Sequence, residues 1–301
     1  METKNCSLSI TVCTPTFNRG SYLDRVFDSL CIQDFCSFEW IIVDDGSTDQ
    51  TDFVVNGIAS IAKFPVIYIK QPNSGKHVAV NKALDLARGE LFLVLDSDDR
   101  CTADALSFFY TEWQGICDRK TEVAGITVLT MDRNGEVVGS PFPYERCIDF
   151  LPQFYERFRV MGDKWNIHQT AILKEYRFPE TPNENFCPEG LVWNRIATRY
   201  KMLFVNKPLG ITEYLPDGLS ANITKRRIHS PINTMMYYHE LIESNLSLIS
   251  RLRGAVNYFR FALHSRKYRL AFRTHPFCGF LVLVISAVFL IVDTKRIRRY
   301  R

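Results

Sequence analysis

The sequence predicts an α/β protein with a Rossmann-like, mostly parallel sheet flanked by helices, followed by a helical C-terminal tail. Two observations predict the sheet. In the first hundred of the 301 residues, short apolar runs typical of strands alternate with segments of helical apolar spacing. Three of these runs end in polar clusters, and parallel sheets bind ligands beyond the carboxyl ends of their strands. A third observation predicts the tail, because residues 251–301 carry twelve basic residues and one acid.

The elements of the first hundred residues follow from their apolar periodicity and their turn residues. The alternation predicts strands over residues 8–13, 38–43, 65–69 and 91–95, and helices over residues 21–31, 47–61 and 76–88. Beyond residue 100 the pattern is less regular. It predicts a helix over 103–117, a strand over 122–131, a hairpin turn over 132–136, an irregular stretch over 141–160, strands over 165–173 and 202–205, and a helix over 190–200. From about residue 230 onward the pattern is helical.

Composition excludes several classes of protein. With 46% apolar and 23% charged residues, the chain can bury a core and is neither fibrous nor broadly disordered. The nine cysteines are odd in number and form no C-x-x-C pair, so neither a zinc knuckle nor a disulfide framework is indicated. We therefore expect the main body to lie in a reducing cytosol.

The tail predicts contact with a membrane. Residues 277–292 contain no charge and are flanked by basic residues, while the preceding 250 residues carry a net charge of −7. Sixteen helical residues span about 24 Å, short of the roughly 30 Å hydrocarbon core, so a full span needs thinning or snorkelling. A re-entrant or interfacial placement and a buried core helix are the alternatives. The flanking basic clusters favour lipid headgroups, and the lack of polar residues that could reach bases argues against nucleic acid.

The stretch VLDSDDR places Asp96, Asp98 and Asp99 directly after an apolar strand. Like charges gathered at a strand end repel each other, and a divalent hard cation such as Mg²⁺ or Mn²⁺ would neutralise them. The alternative is a solvated loop. The sequence contains no Gly-rich phosphate loop, so metal and basic side chains are expected to handle phosphate.

A second acidic cluster follows the second predicted strand. In VDDGSTD, Asp44 and Asp45 precede a glycine and helix-capping residues. A carboxylate there can accept a hydrogen bond from an imide N–H such as that of uracil, although a simple N-cap turn explains the same residues.

Four motifs in this order carry a specific resemblance. They are TPTFNR at residues 14–19, VDDGSTD at 43–49, NSG at 73–75 with Asn81 beyond it, and DSDD at 96–99. Together they resemble family 2 glycosyltransferases of the GT-A fold over roughly residues 8–215. The resemblance implies a nucleotide-sugar donor, usually a UDP-sugar, a Mg²⁺ or Mn²⁺ ion, and transfer with inversion at the anomeric carbon. With the composition of the tail, this predicts a glycosyltransferase domain over residues 1–228, divided into a nucleotide-binding half (1–100) and an acceptor half (101–228). Residues 229–301 are predicted to form a helical membrane-associating region.

The resemblance assigns roles to individual residues. Pro15, Thr16 and Phe17 would border the nucleobase, and Asp44 or Asp45 would bind it. Asn73, Gly75 and Lys76 would line the donor pocket, with Lys76 near phosphate. Asp96 would approach the ribose or the metal, and Asp98 the metal. Inversion needs a general base, and Glu189 in CPEGLVW is the candidate, although Gly190 stands where the family usually has an Asp.

The leading hypothesis is therefore a metal-dependent inverting glycosyltransferase at the cytoplasmic face of a membrane. It would add a sugar to a lipid-linked or polysaccharide acceptor in cell-surface glycan synthesis. A non-catalytic sugar-nucleotide-binding scaffold is one alternative, favoured by Gly190. A sugar nucleotidyltransferase is another, disfavoured because no Gly-rich loop follows the first strand.

Overall fold

The computed structural model describes residues 8–213, 218 and 222–299, with the side chains of residues 276–281 and 294–299 left out. The chain forms two compact units. The first comprises Met1–Arg177 and Arg195–Tyr214, and the second comprises Phe178–Asn194 and Leu215–Arg301.

The first unit begins with four parallel strands. They are β1 (Ile10–Thr16), β2 (Phe38–Asp44), β3 (Val66–Lys70) and β4 (Leu91–Val94), lying in the order β3-β2-β1-β4. The helices between them are α1 (Gly20–Cys31), α2 (Thr51–Ile61) and α3 (Lys76–Leu86). Every residue of β1 and β2 is buried, as expected for parallel strands covered on both faces. The four strands predicted from the first hundred residues are therefore confirmed.

The remainder of the first unit extends the sheet with mixed pairing. Its elements are β5 (Arg100–Cys101), α4 (Ala105–Gln114), β6 (Val123–Met131), β7 (Arg146–Asp149), α5 (Leu151–Phe158), β8 (Lys164–Gln169), α6 (Thr170–Glu175), α7 (Gly190–Ile196) and β9 (Lys201–Ile211), of which α7 begins in the second unit. The sheet continues β4-β8-β6-β9-β5, with β7 paired to β9. Of the eight strand pairings among the described residues, four are parallel. The sheet is therefore mixed, and its parallel character is concentrated in the first four strands.

Two predictions in this region were wrong. The stretch 141–160, expected to be irregular, contains β7 and α5. Its order comes from long-range packing: Cys147 pairs with Phe204 of β9, and the Phe154 ring stacks on Phe204 with centroids 4.0 Å apart. The strand expected over 165–173 ends at Gln169, where α6 begins. There Thr170 turns the chain by donating from its hydroxyl to the carbonyl of Gly89 at 2.6 Å.

The second unit is helical, as predicted for the end of the chain. Its helices are α8 (Ile223–His229), α9 (Pro231–Glu243), α10 (Leu248–His264), α11 (Tyr268–Thr274) and α12 (Pro276–Arg299). Buried side chains of α9, α10 and α12 form its apolar core, including Met235, Phe259 and Val282. Within the part of the chain that the structure describes, none of the helices has the length and apolarity needed to cross a membrane.

Candidate active site

The ends of β1 and β2 form one edge of the parallel sheet. Thr16 and Asp44 are the last residues of these strands and lie in register, and the next amide, that of Asp45, donates to the carbonyl of Thr16 at 2.8 Å. Beyond the edge, the Phe17 side chain is 47% exposed and Asn18 has a positive φ of 52°. The predicted nucleobase residues Pro15, Thr16 and Phe17 therefore run from the buried strand to the surface.

Asp44 holds the turn that follows β2. Its fully buried carboxylate accepts from the backbone N–H of Ser47 at 2.7 Å and from the hydroxyl of Tyr68 at 2.9 Å. Gly46, inside this turn, has a φ of +85°, and a Cβ there would lie 2.9 Å from the backbone nitrogen of Asn73. The glycine of the motif thus lets the loop after β2 pack against the loop after β3.

Asp45 joins the same two loops. Its carboxylate accepts from the backbone N–H groups of Ser74 at 2.7 Å and Gly75 at 2.8 Å, and from the side-chain amide of Gln71 at 2.8 Å. Gly75 has a φ of 98° and directly precedes α3. Both carboxylates of the pair therefore organise the loops, and which of them contacts a nucleobase remains a prediction.

Lys76, the first residue of α3, contacts the fourth motif. Its Nζ lies 2.7 Å from each carboxylate oxygen of Asp96. Asp45 positions the turn from which Lys76 extends, so the second and third motifs place a cation beside the acids that follow β4. The structure thus brings together Asp45, Gly75, Lys76 and Asp96, while Asn73 lies exposed in the same turn.

Asp98 and Asp99 lie beside Asp96, and the pKa values of both are raised. Burial, and then the carboxylate of Asp96, raise the pKa of Asp98 above its ordinary value. Burial, followed by the carboxylates of Asp96 and Asp98, raises the pKa of Asp99 well above its ordinary value. Lys76 acts against both shifts but does not cancel them.

This donor set fits a hard divalent cation. Mg²⁺ and Mn²⁺ prefer oxygen ligands and bind through one or two carboxylates together with substrate phosphates. Burial and the carboxylate of Asp96 raise the pKa of Asp98 although Lys76 and Arg19 act in the opposite direction, and a bound cation would favour its charged form. Asp98, with Asp96 beside it, is therefore suited to hold such an ion.

Three further residues of these motifs lie near the acidic cluster or connect the loops, although no site role was predicted for them from the sequence. Asp99 shares the acidic cluster, and it accepts from the backbone N–H of Glu213 at 3.4 Å. Arg19 lowers the pKa of Asp98 by its charge, so it lies near the cluster. Asp49 accepts from the backbone N–H of Gly20 at 3.1 Å and so ties the start of α1 to the second motif. Because all three residues lie inside the quoted motifs, the sequence could have indicated them as site residues.

Glu189 lies in the second unit. It is exposed, and its carbonyl accepts from the backbone N–H groups of Val192 at 3.0 Å and Trp193 at 3.3 Å, which places it at the start of α7. At Gly190, a Cβ would lie 2.9 Å from the ring of Tyr237. Packing against this ring accounts for the glycine at the position where the family usually has an acid. The role of Glu189 as a base remains a prediction.

Comparison with known proteins agrees with the family resemblance of the four motifs. The family model described as "Glycosyl transferase family 2" matches residues 11–161. A GalNAc(5)-diNAcBac-PP-undecaprenol beta-1,3-glucosyltransferase of Campylobacter jejuni is 27% identical over 207 residues, which cover 67% of this chain and 63% of the relative. The chain spans less than two thirds of the length of such curated relatives.

Solved structures share the fold. S. aureus TarS 1-349 in complex with UDP-GlcNAc superposes with a TM-score of 0.59 at 21% identity, covering 86% of this chain and 73% of TarS. A mannosyltransferase of Pyrobaculum calidifontis in complex with GDP-Man and Mn²⁺ gives a TM-score of 0.56 at 18% identity, covering 95% and 79%. The sheet is thus that of the GT-A fold. With four ordered motifs at its edge, and with a family model that matches just over half of its 301 residues, this chain belongs to glycosyl transferase family 2.

Proposed function

We propose that this protein is a metal-dependent inverting glycosyltransferase that transfers a sugar from a nucleotide-sugar to a lipid-linked or polysaccharide acceptor in cell-surface glycan synthesis. The observation that carries the proposal is the cluster of Asp96, Asp98 and Asp99 beside Lys76. All three acids follow β4 of the parallel sheet, and the pKa values of Asp98 and Asp99 are raised.

The donor is proposed to be a UDP-sugar. The buried Thr16 hydroxyl has no hydrogen-bond partner among the described residues, and it lies at the end of β1. The exposed ring of Phe17 next to it offers a surface on which a base can stack. TarS, which shares the fold, was solved with UDP-GlcNAc.

The metal is proposed to be Mg²⁺ or Mn²⁺, held by Asp98 with Asp96. When bound, it supplies positive charge to the diphosphate leaving group. Lys76 would add charge on the same side. Because Lys76 is paired with Asp96 in this structure, it is held at the acidic cluster before any donor binds.

Inversion requires attack on the anomeric carbon from the side opposite the diphosphate. Glu189 is proposed to take the proton of the acceptor hydroxyl. As the acceptor oxygen bonds to the anomeric carbon, the bond from that carbon to the diphosphate oxygen breaks, and its electron pair leaves with the diphosphate.

The acceptor class and the location at the cytoplasmic face are proposed from the tail. The outer face of α12 exposes six large apolar side chains: Val284, Ile285, Val288, Phe289, Ile291 and Val292. The opposite face is occupied, because Asp293 pairs with Arg260 of α10 at 2.6 Å and Ser286 donates to the carbonyl of Val256 at 3.0 Å. We therefore propose that α12 lies in the interface of an anionic bilayer, with α10 on its protein side.

The catalytic proposal is tested by measuring nucleotide release and product mass with a panel of UDP-sugars and Mn²⁺. Asp98→Asn should lose at least about a hundredfold in kcat, because a carboxylate ligand is replaced by a neutral amide. Asp85→Asn is the matched control. Asp85 forms an ion pair with Arg177 in which both side chains are well exposed, so its loss should have little effect. Full activity in Asp98→Asn would refute the metal assignment.

Glu189→Gln separates catalysis from binding. If Glu189 is the base, the variant should keep its affinity for UDP and lose transfer by about a hundredfold or more. Unchanged transfer would remove Glu189 from this role. UDP binding by the wild type without turnover of any donor, across a panel of lipid-linked and polysaccharide acceptors, would favour the scaffold alternative.

The membrane proposal is tested by co-sedimentation with vesicles containing anionic phosphatidylglycerol. Val288→Glu on the outer face of α12 should reduce binding, because it places a charge among apolar side chains. Phe53→Glu, at a 76% exposed position of α2 in the first unit, is the matched control and should bind as the wild type does. Equal binding by both variants would contradict the proposed face.

A further inference from the structure

Two histidines and a glutamate converge in the second unit. His239 and Glu243 lie four residues apart on α9 and so share one face of that helix. His275 follows α11 and directly precedes α12. The Nδ1 of His239 lies 2.8 Å from the Nε2 of His275, and a Glu243 oxygen lies 3.7 Å from the Nδ1 of His275. We call these three residues the His–Glu cluster.

Packing fixes the position of the His275 ring. The ring of His275 is largely buried and meets the ring of Tyr258 edge-on, with centroids 5.3 Å apart. A neutral imidazole has an unprotonated nitrogen with a free electron pair, and metal ions bind to that nitrogen.

The geometry suits a tetrahedral ion after a small adjustment. One ligand atom from each residue can be chosen so that all three lie within 4.8 Å of one another. At Zn–N distances of about 2.0–2.1 Å, ligands at tetrahedral angles are roughly 3.3 Å apart, so the two nitrogens need to separate by about half an ångström. The Glu243 side chain is 62% exposed and can rotate toward the ion without disturbing the core.

The ligand types distinguish this cluster from the acidic cluster beside Lys76. Two imidazoles and one carboxylate form a donor set that Zn²⁺ prefers, with a fourth position left for water. Mg²⁺ and Mn²⁺ instead favour sites with oxygen ligands alone.

We propose that the His–Glu cluster is a second metal site, which binds Zn²⁺ and links the C-terminal end of α9 to the junction between α11 and α12. The bound ion would replace the single hydrogen bond between the two rings by three metal–ligand bonds. It would therefore stabilise the start of α12 against separation from α9. The site is independent of sugar transfer.

The experiment uses the full chain, stripped of metal by a chelator and titrated with Co²⁺ as a spectroscopic substitute for Zn²⁺. A tetrahedral nitrogen–oxygen site should produce an intense visible absorption band that Zn²⁺ displaces. His239→Gln should lose this band, and its affinity for Zn²⁺ should fall at least about tenfold. Glu243→Gln should weaken Zn²⁺ binding as well. Because Glu243 is exposed, this substitution leaves the packing of the second unit unchanged.

Two control variants keep the result specific. His229→Gln replaces an exposed histidine on α8 and should keep the band. Asp98→Asn should also keep it, because Asp98 belongs to the acidic cluster. Absence of the band in the wild type, or an unchanged band in both His239→Gln and Glu243→Gln, would overturn the proposal and leave the two rings as a hydrogen-bonded pair.

Discussion

Asp45→Ala is the sharpest test of how the motifs cooperate. The carboxylate of Asp45 is 5% exposed and accepts three hydrogen bonds of 2.7–2.8 Å, two of them from backbone N–H groups in the turn before α3. Alanine would leave the N–H groups of Ser74 and Gly75 without this acceptor. The side-chain amide of Gln71 can turn toward water, so its loss costs less.

The expected loss of stability follows from these contacts. Hydrogen bonds to a charged group contribute about 1.5–3 kcal/mol each. Two backbone bonds would give roughly 3–6 kcal/mol, and partial exposure of the turn lets water recover part of this. We therefore expect the free energy of unfolding to fall by about 2–4 kcal/mol, measured by urea denaturation followed by tryptophan fluorescence.

A matched control and a second measurement complete this test. Asp52→Ala removes a carboxylate that pairs with Lys70 at 2.7 Å on the surface and accepts from the Tyr68 hydroxyl. Because that hydroxyl keeps Asp44 as an acceptor, the substitution should cost no more than about 1 kcal/mol. Asp45→Ala should also raise the KM for donor, because the turn that positions Lys76 loses its anchor. A loss of stability equal to that of Asp52→Ala, with an unchanged KM, would refute the anchoring role of Asp45.

The remaining predictions concern protons and packing. Because the pKa of Asp98 is raised, part of the metal-free population should hold a proton there as the pH falls toward that pKa, so Mn²⁺ should release protons on binding and bind more weakly at acidic pH. Calorimetry in buffers of different ionisation enthalpy measures this release, and a heat independent of buffer would contradict it. Gly89→Ala should destabilise by about 2 kcal/mol or more, because the new Cβ would lie 2.4 Å from the backbone nitrogen of Thr11. Gly57→Ala, in an open position of α2, should stabilise by about 0.5–1 kcal/mol in the same thermal-unfolding assay, and an equal effect of the two substitutions would refute the packing argument.

Elements that depend on local sequence patterns were predicted correctly, whereas elements that depend on contacts distant in the chain were not. The first hundred residues form strands and helices in continuous alternation, and their apolar periodicity is local, so the order of elements could be predicted. β7 and α5 escaped prediction because they depend on Phe204, about fifty residues away in the sequence. The strand predicted to continue beyond Gln169 ended because Thr170 bonds to the backbone near β4.

By itself, the sequence determined which residues gather at the edge of the sheet, because parallel strands have their carboxyl ends at the same edge. It also determined the family, through four motifs in order. Only the tertiary structure decided what each acid does. Asp44 and Asp45 point into adjoining loops and bond to backbone N–H groups there, whereas Asp98 and Asp99 repel each other beside Asp96. A carboxylate becomes an anchor or a metal ligand according to the donors within about 3 Å of its oxygens, and those donors come from segments distant in the chain.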